Sequence, residues 1–157
     1  MPIRYRGKDR EELGNLSLKH GMAEHFIGAS AELLIATLAT KYGIVVSYPL
    51  FTQSKYDLIF DIKGKLLKIQ VKKATKSSAN GFPFIQIRLG GSGRPKYTAN
   101  DYDYLAMVYE DDIWFLPYSY TANKTSMSFS IFTANIHKRH PIQDYTFEKF
   151  LEREGLV

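Results

Sequence analysis

The segment from Tyr56 to Lys72 constrains this chain more than any other. Tyr56-Asp57-Leu58-Ile59-Phe60-Asp61-Ile62 runs into Lys63-Gly64-Lys65, and Leu66-Leu67-Lys68-Ile69-Gln70-Val71-Lys72 runs out. Runs rich in β-branched, aromatic and aliphatic residues on either side of a glycine-containing turn predict a β-hairpin. Side chains alternate across a strand. Leu58, Phe60, Leu67, Ile69 and Val71 therefore share one face, and Asp57, Asp61, Lys68, Gln70 and Lys72 share the other. A two-residue turn at Gly64-Lys65 sets Asp57 opposite Lys72, Ile59 opposite Gln70 and Asp61 opposite Lys68. The apolar face is a core set. The polar face fits either a solvated surface laced with cross-strand ion pairs or an assembled site, and the hairpin alone does not choose.

Helical and strand patterns flank the hairpin. From about Ala23 to Tyr42, Ile27, Ala31, Leu34 and Leu38 recur at i, i+4, i+7 and i+11, which predicts a helix with these residues inward. Gly43 follows where a left-handed C-terminal residue is expected. Ile44 to Tyr48 reads as a short strand ended by Pro49, and residues 75–81 read as a loop. Phe84 to Leu89 alternates as a strand, and 90–96 form a basic, glycine-rich loop. Tyr104–Tyr109 and Ile113–Tyr118 predict a second hairpin around Glu110-Asp111-Asp112, with a weaker strand near 127–132. A terminal amphipathic helix begins near Thr146 with Phe147, Phe150 and Leu151 inward. Residues 1–22 show no clear period and read as an N-terminal arm. With no internal repeat and no linker, residues 1–157 are expected to form one α/β domain.

Charge narrows the partner. The net charge of +5 hides a strong asymmetry. Residues 52–100 carry ten Lys or Arg against two Asp, whereas 101–157 carry five basic residues against nine acidic. So basic a middle segment suits a polyanion, although a lysine-rich solvated surface has the same composition. No apolar run approaches the roughly 18 residues of a membrane span, and the polar N-terminus has no secretory apolar core. The absence of cysteine excludes disulfides and thiolate metal sites. A cytoplasmic protein without membrane contact is expected.

Glu32 is the odd residue of the first helix, the only charge between Glu24-His25 and Lys41. Its helical neighbours at three and four positions are Gly28, Ala29, Ile35 and Ala36, and a carboxylate among such residues costs free energy unless compensated. A metal ion or a lysine from the sheet would compensate it, and so would escape to solvent past small neighbours. Glu32 on a first helix, Asp57 on a strand and Gln70-Val71-Lys72 beyond it resemble the PD-(D/E)xK nuclease superfamily. More narrowly, the chain resembles the group I intron-associated homing endonucleases and their bacterial, archaeal and phage relatives. The likeness is carried by Gly28-Ala29-Ser30-Ala31-Glu32, by Tyr56-Asp57-Leu58 with Ile69-Gln70-Val71-Lys72, and by Tyr97-Thr98 with Asp101-Tyr102-Asp103-Tyr104-Leu105-Ala106. In spacing it spans about residues 24–118. Gln70 stands where the superfamily usually has an acid, and Tyr56 rather than proline precedes Asp57. Both departures resemble the homing subgroup.

The resemblance implies a restriction-endonuclease-like core, a mixed β-sheet of about five strands flanked by helices. It implies an Mg²⁺- (or Mn²⁺-) dependent DNA endonuclease with Glu32, Asp57, Gln70 and Lys72 as catalytic residues. Asp57 is then the central metal ligand, with Glu32, the Gln70 side-chain oxygen and the Val71 carbonyl completing the protein's share, since hard oxygen ligands suit these ions. Lys72 orients the attacking water or stabilises the developing charge. Candidate contacts to double-stranded DNA are Lys63, Lys65, Lys73, Lys76, Ser77, Ser78, Gln86, Arg88, Arg94 and Lys96. Gln86 and Arg88 can read purines in the major groove, and Lys138-Arg139 can touch the backbone. His137 and His140 read as part of a basic loop rather than a metal pair. Cutting both strands would need a homodimer or homotetramer. The rivals are a Holliday-junction resolvase or restriction/defence nuclease of the same superfamily, a non-catalytic DNA-binding module, and an RNA-binding β-sheet protein.

Overall fold

The computed structural model describes residues 23–90, 93, 95–130 and 141–157. The arm expected over 1–22, Arg94, the far end of the weaker strand and the 137–140 stretch lie outside them. Helix α1 (Ala23–Lys41) is followed by β1 (Val45–Ser47), β2 (Leu58–Ile62), β3 (Lys65–Lys73), β4 (Thr75–Ala79) and β5 (Phe82–Arg88). Then come β6 (Tyr104–Tyr109), β7 (Asp112–Pro117), the single turn α2 (Tyr118–Thr121), β8 (Ser126–Phe129), a 3-10 turn (Gln143–Tyr145) and helix α3 (Phe147–Arg153). Five strands form one mixed sheet in the order β1-β2-β3-β6-β7. Only β3 and β6 run parallel. The mixed five-stranded sheet with helices expected from the sequence is therefore present.

A parallel pair needs a crossover of a dozen or more residues, commonly a helix. Here the β4–β5 hairpin opens the crossover, and with β8 it forms a second, antiparallel sheet in the order β4-β5-β8. The main sheet is thus covered on both faces. Ala31, Ile35 and Ala39 of α1, with Phe147, Phe150 and Leu151 of α3, pack on Leu58, Phe60, Leu67, Ile69, Val71, Ala106 and Phe115. Leu105, Met107, Trp114 and Leu116 meet Ile85, Ile87, Met127 and Phe129 of the second sheet. Covered on both sides, β6 reads as a nearly continuous apolar run. Thr146 caps α3 by accepting the Lys149 N–H at 3.3 Å, and Gly43 closes α1 with φ +76°.

Three expectations are corrected. The buried stripe of α1 is Ala31, Ile35 and Ala39, whereas Leu34 is 38% exposed. Two alanines let the helix lie close on the sheet, so only a narrow line at four-residue spacing is covered. Residues 75–81 are β4 and its turn rather than a loop. Asn80 and Gly81 adopt φ +51° and +80°, the left-handed pair of a tight hairpin turn. As an edge strand, β4 is held by its backbone ladder and needs no apolar side chains. Finally, the first hairpin turns on Lys63-Gly64 (φ +54° and +88°), not on Gly64-Lys65. The Asp61 carboxylate helps by accepting the Gly64 N–H at 2.8 Å. Pairs become Leu58–Ile69, Phe60–Leu67 and Asp61–Leu66, a slip of two residues. Because the side-chain period is also two, every residue keeps its face.

Candidate active site

The mouth of the hairpin, opposite its turn, is where the polar residues gather. β2 begins at Leu58, so the ladder leaves the Val71 N–H of β3 without a strand partner, and a buried N–H must find one. Asp57 supplies it. Its Oδ2 accepts the Val71 N–H at 2.8 Å, and its own N–H donates to the Ile69 carbonyl at 2.9 Å. The half-buried carboxylate is thereby fixed at both its backbone and one oxygen. Among the described residues nothing hydrogen-bonds its Oδ1. Burial pushes the Asp57 carboxyl above its ordinary value, while the Val71 N–H and the nearby Lys72 charge pull it back.

Gln70 and Lys72 flank Val71 on the polar face. Gln70 is only 7% exposed, and its carboxamide makes one long hydrogen bond, Nε2 to the Val71 carbonyl at 3.4 Å. Among the described residues its Oε1 has no partner, and a buried amide left so is costly and calls for an explanation. Lys72 does not sit opposite Asp57 as expected, because the two-residue slip puts it one pair further along the strand. It forms no ion pair with Asp57; its ammonium lies 5.6 Å from the centroid of the Tyr97 ring. The Lys55 ammonium shares that ring at 5.9 Å. Tyr102 packs edge-on against Tyr97 at 5.2 Å and against Tyr118 at 5.4 Å, and the Tyr118 hydroxyl donates to the Tyr97 carbonyl. The Tyr97 ring is therefore the surface on which Lys72 rests.

Glu32 arrives from α1, one residue beyond the buried Ala31, with its carboxylate half-buried. It makes no hydrogen bond or ion pair among the described residues. Burial raises its carboxyl above the ordinary value, and the Asp57 charge raises it further. The two acids line one open pocket of about 240 Å³ together with Tyr48, Pro49, Phe51, Thr52 and Tyr56. Nothing in the spacing of residues 48–56 marked them as a wall of this pocket. The structure therefore brings Glu32 and Asp57 together, with Gln70, Val71 and Lys72 on the adjoining strand. A pair of desolvated carboxylates, a buried amide with a spare oxygen and a backbone carbonyl form a hard-oxygen donor set. That set fits a small divalent cation.

The expected DNA contacts divide by location. Lys63 and Lys65 lie at the turn, roughly 16 Å along the strand from Asp57 at ~3.3 Å per residue. Lys65 is ion-paired to Glu154 at 2.8 Å. The second sheet carries Lys76, Ser77, Ser78, Gln86 and Arg88. Its pairing puts Ser77, Gln86 and Arg88 on one face, with Thr75, Ser126 and Ser128 beside them, and Lys76 and Ser78 on the opposite face. Lys73 and Lys96 are exposed, at the end of β3 and in the loop after β5. The alternation of β5 foretold the face of Gln86 and Arg88; β8's serines join it only through tertiary pairing.

A family model described as PD-(D/E)XK endonuclease matches residues 22–149. Protein 5.3 of Escherichia phage T7 is 44% identical over 103 residues, 66% of this chain and 87% of that protein. Among solved structures, the bacterial homing endonuclease I-Ssp6803I is similar with a TM-score of 0.66 and 26% identity. The match covers 82% of this chain and 92% of that one.

Proposed function

This chain belongs to the PD-(D/E)XK endonuclease family, and from that premise we propose that it is an Mg²⁺-dependent (or Mn²⁺-dependent) endodeoxyribonuclease of the homing type. It cuts double-stranded DNA at a specific site, as a single domain over residues 1–157 in a homodimer or homotetramer. The observation that carries the reading is the Glu32–Asp57 pair. Two carboxylates are held together in partial burial, and among the described residues neither has an ion-pair partner and the amide oxygen beside them accepts no hydrogen bond. Such a cluster is costly when empty and stabilised by an oxygen-seeking ion. Similarity to a bacterial homing endonuclease supports the homing type over a junction-resolving or defence role.

Asp57, Glu32, the Gln70 Oε1 and the Val71 carbonyl would hold the ion. When bound, a divalent ion supplies positive charge to the scissile phosphate and its departing oxygen. The chain's own residues do the rest. Val71 N–H keeps Asp57 from turning away, and Lys72 places an ammonium where the pentacoordinate phosphorus accumulates charge. Tyr97 keeps that ammonium from collapsing onto Asp57. Ser77, Gln86 and Arg88, with Thr75, Ser126 and Ser128, share a β-surface with Phe82 and Phe84, and their polar groups suit base edges in the major groove. Lys73, Lys76 and Lys96 suit phosphate contacts. One site cuts one strand, so a double-strand break requires a second copy.

The test is cleavage of supercoiled plasmid carrying the DNA that flanks the gene, with Mg²⁺ or with EDTA. Wild-type protein is expected to linearise the plasmid only with Mg²⁺, and Asp57→Asn and Lys72→Ala to leave it intact. Cutting of four-way junctions but no linear duplex would replace the homing reading with a resolvase. Binding without metal-dependent cutting of any DNA would reduce the chain to a DNA-binding module.

A further inference from the structure

The segment joining β1 to β2 forms a wall of the carboxylate pocket and carries a large apolar tip into solvent. Leu50 is 100% exposed, Phe51 68% and Tyr48 53%, all within four consecutive residues that also include Pro49. Single exposed apolar residues are ordinary, but a contiguous cluster marks an interaction surface. The tip is folded back on itself by the Ser54 N–H donating to the Phe51 carbonyl at 3.2 Å, and Tyr56 N–H donates to Ser54 Oγ. It is thus a shaped turn with its side chains presented outward.

We propose that Leu50 and Phe51 form a wedge that enters the DNA duplex beside the scissile phosphate and unstacks a base step there. The inference rests on the endonuclease reading, since it takes duplex DNA as the occupant. Three observations favour that occupant. Phe51 lines the same pocket as Glu32 and Asp57, and base steps are spaced ~3.4 Å apart. A phosphate held at those acids would therefore have Phe51 on the adjoining wall. Cationic groups adjoin the pocket: Lys68 lies 5.6 Å from the ring of Tyr56, another pocket residue, and Lys55 and Lys72 share the Tyr97 ring. An apolar tip on the wall of a pocket that lysines adjoin suits a polyanion with an apolar interior, in which phosphates meet the ammonium groups and stacked bases meet the side chains. A second copy of the chain fits less well, because a two-fold contact through this tip would set the pocket's own charges against each other. Leucine and phenylalanine are residue types that wedge between base steps in proteins that kink DNA.

The test needs no catalysis. Full-length protein is titrated onto relaxed plasmid in EDTA, and the plasmid is closed with a metal-independent topoisomerase. The linking number is then read on gels beside the amount of protein bound. Wild type is expected to unwind the plasmid in proportion to bound protein. The Leu50→Ala/Phe51→Ala double variant should bind within about twofold and unwind at least about fivefold less per bound molecule. Leu50→Met should unwind as wild type does. Equal unwinding by wild type and the double variant, or none by either, would overturn the wedge. So would a fall in oligomeric state of the double variant by sedimentation, which would assign the tip to a protein interface. Unwinding without Mg²⁺-dependent cutting would keep the wedge and remove the nuclease, and cutting without unwinding would do the reverse.

Discussion

The two ends of the β2–β3 hairpin treat a buried carboxylate in opposite ways. At the turn, Glu154 is nearly enclosed, its side chain 6% exposed, and both oxygens are answered. Lys65 Nζ sits 2.8 Å from Oε2, and the Tyr104 hydroxyl donates to Oε1 at 2.8 Å. Burial and this carboxylate together push the Tyr104 hydroxyl well above its ordinary value. At the mouth, among the described residues, Glu32 has no hydrogen-bond or ion-pair partner and Asp57 has one satisfied oxygen, and each is pushed up by desolvation. A buried acid with its partners is part of the structure. A buried acid without them is a position held ready for a charge from outside. Composition does not separate the two; only the partners do.

The largest effect expected is at the mouth. Asp57→Asn keeps an acceptor for the Val71 N–H but removes the charge, and single-turnover cleavage should fall on the order of 10²–10³-fold. The same protein without metal should melt no lower than wild type. If Asp57→Asn cuts normally, the two ends are alike and the contrast fails. Next, Glu154→Gln leaves Lys65 unpaired and misplaces a donor near the Tyr104 hydroxyl. It should cost about 1–3 kcal/mol in urea unfolding while metal-dependent cleavage per folded molecule stays unchanged. An activity loss beyond the folded fraction would make the turn end functional too.

A smaller effect sharpens the role of the ring under Lys72. Tyr97→Leu should lower kcat about 2–5-fold, the loss of one partly exposed cation–π contact, with KM unchanged and Tyr97→Phe restoring the rate. A fall in KM-limited binding alone would assign the ring to DNA contact instead. The smallest effect is a slope. The folded carboxyls of Glu32 and Asp57 lie above their ordinary values of 4.5 and 3.8. The fold therefore binds their protons more tightly than the unfolded chain does. Their contribution to metal-free stability is fully present below those ordinary values and is lost as pH rises through the raised ones. The melting temperature of a Glu32→Gln/Asp57→Asn variant should accordingly gain on wild type as pH rises, and Mg²⁺ at neutral pH should close the gap. A difference independent of pH would show that the acids are already compensated.

Much of this was legible in the chain. The hairpin core faces, the second hairpin about Glu110-Asp111, Gly43 at the end of α1 and the inward set of α3 follow from local pattern and are present. The strand β4 was missed because Thr75 to Ala79 has no apolar alternation, yet Asn80-Gly81 was a readable turn signal. The expected stripe of α1 departs from the structure at Leu34, which looks like a core residue but is exposed. Burial is decided by how closely Ala31 and Ala39 let the helix approach, a property of the pair of surfaces.

What the sequence determined by itself is the sorting of Asp57, Gln70 and Lys72 onto one face of a hairpin. Alternation is a property of the backbone, and it survives even a two-residue slip in register. What only the tertiary structure decided is which groups those residues meet. Asp57 reaches the Val71 N–H, Lys72 rests on Tyr97, Glu32 comes beside Asp57, and Phe51 lines their pocket. Those meetings join segments far apart in the chain, and they depend on how helix, sheet and loop pack rather than on any period within them.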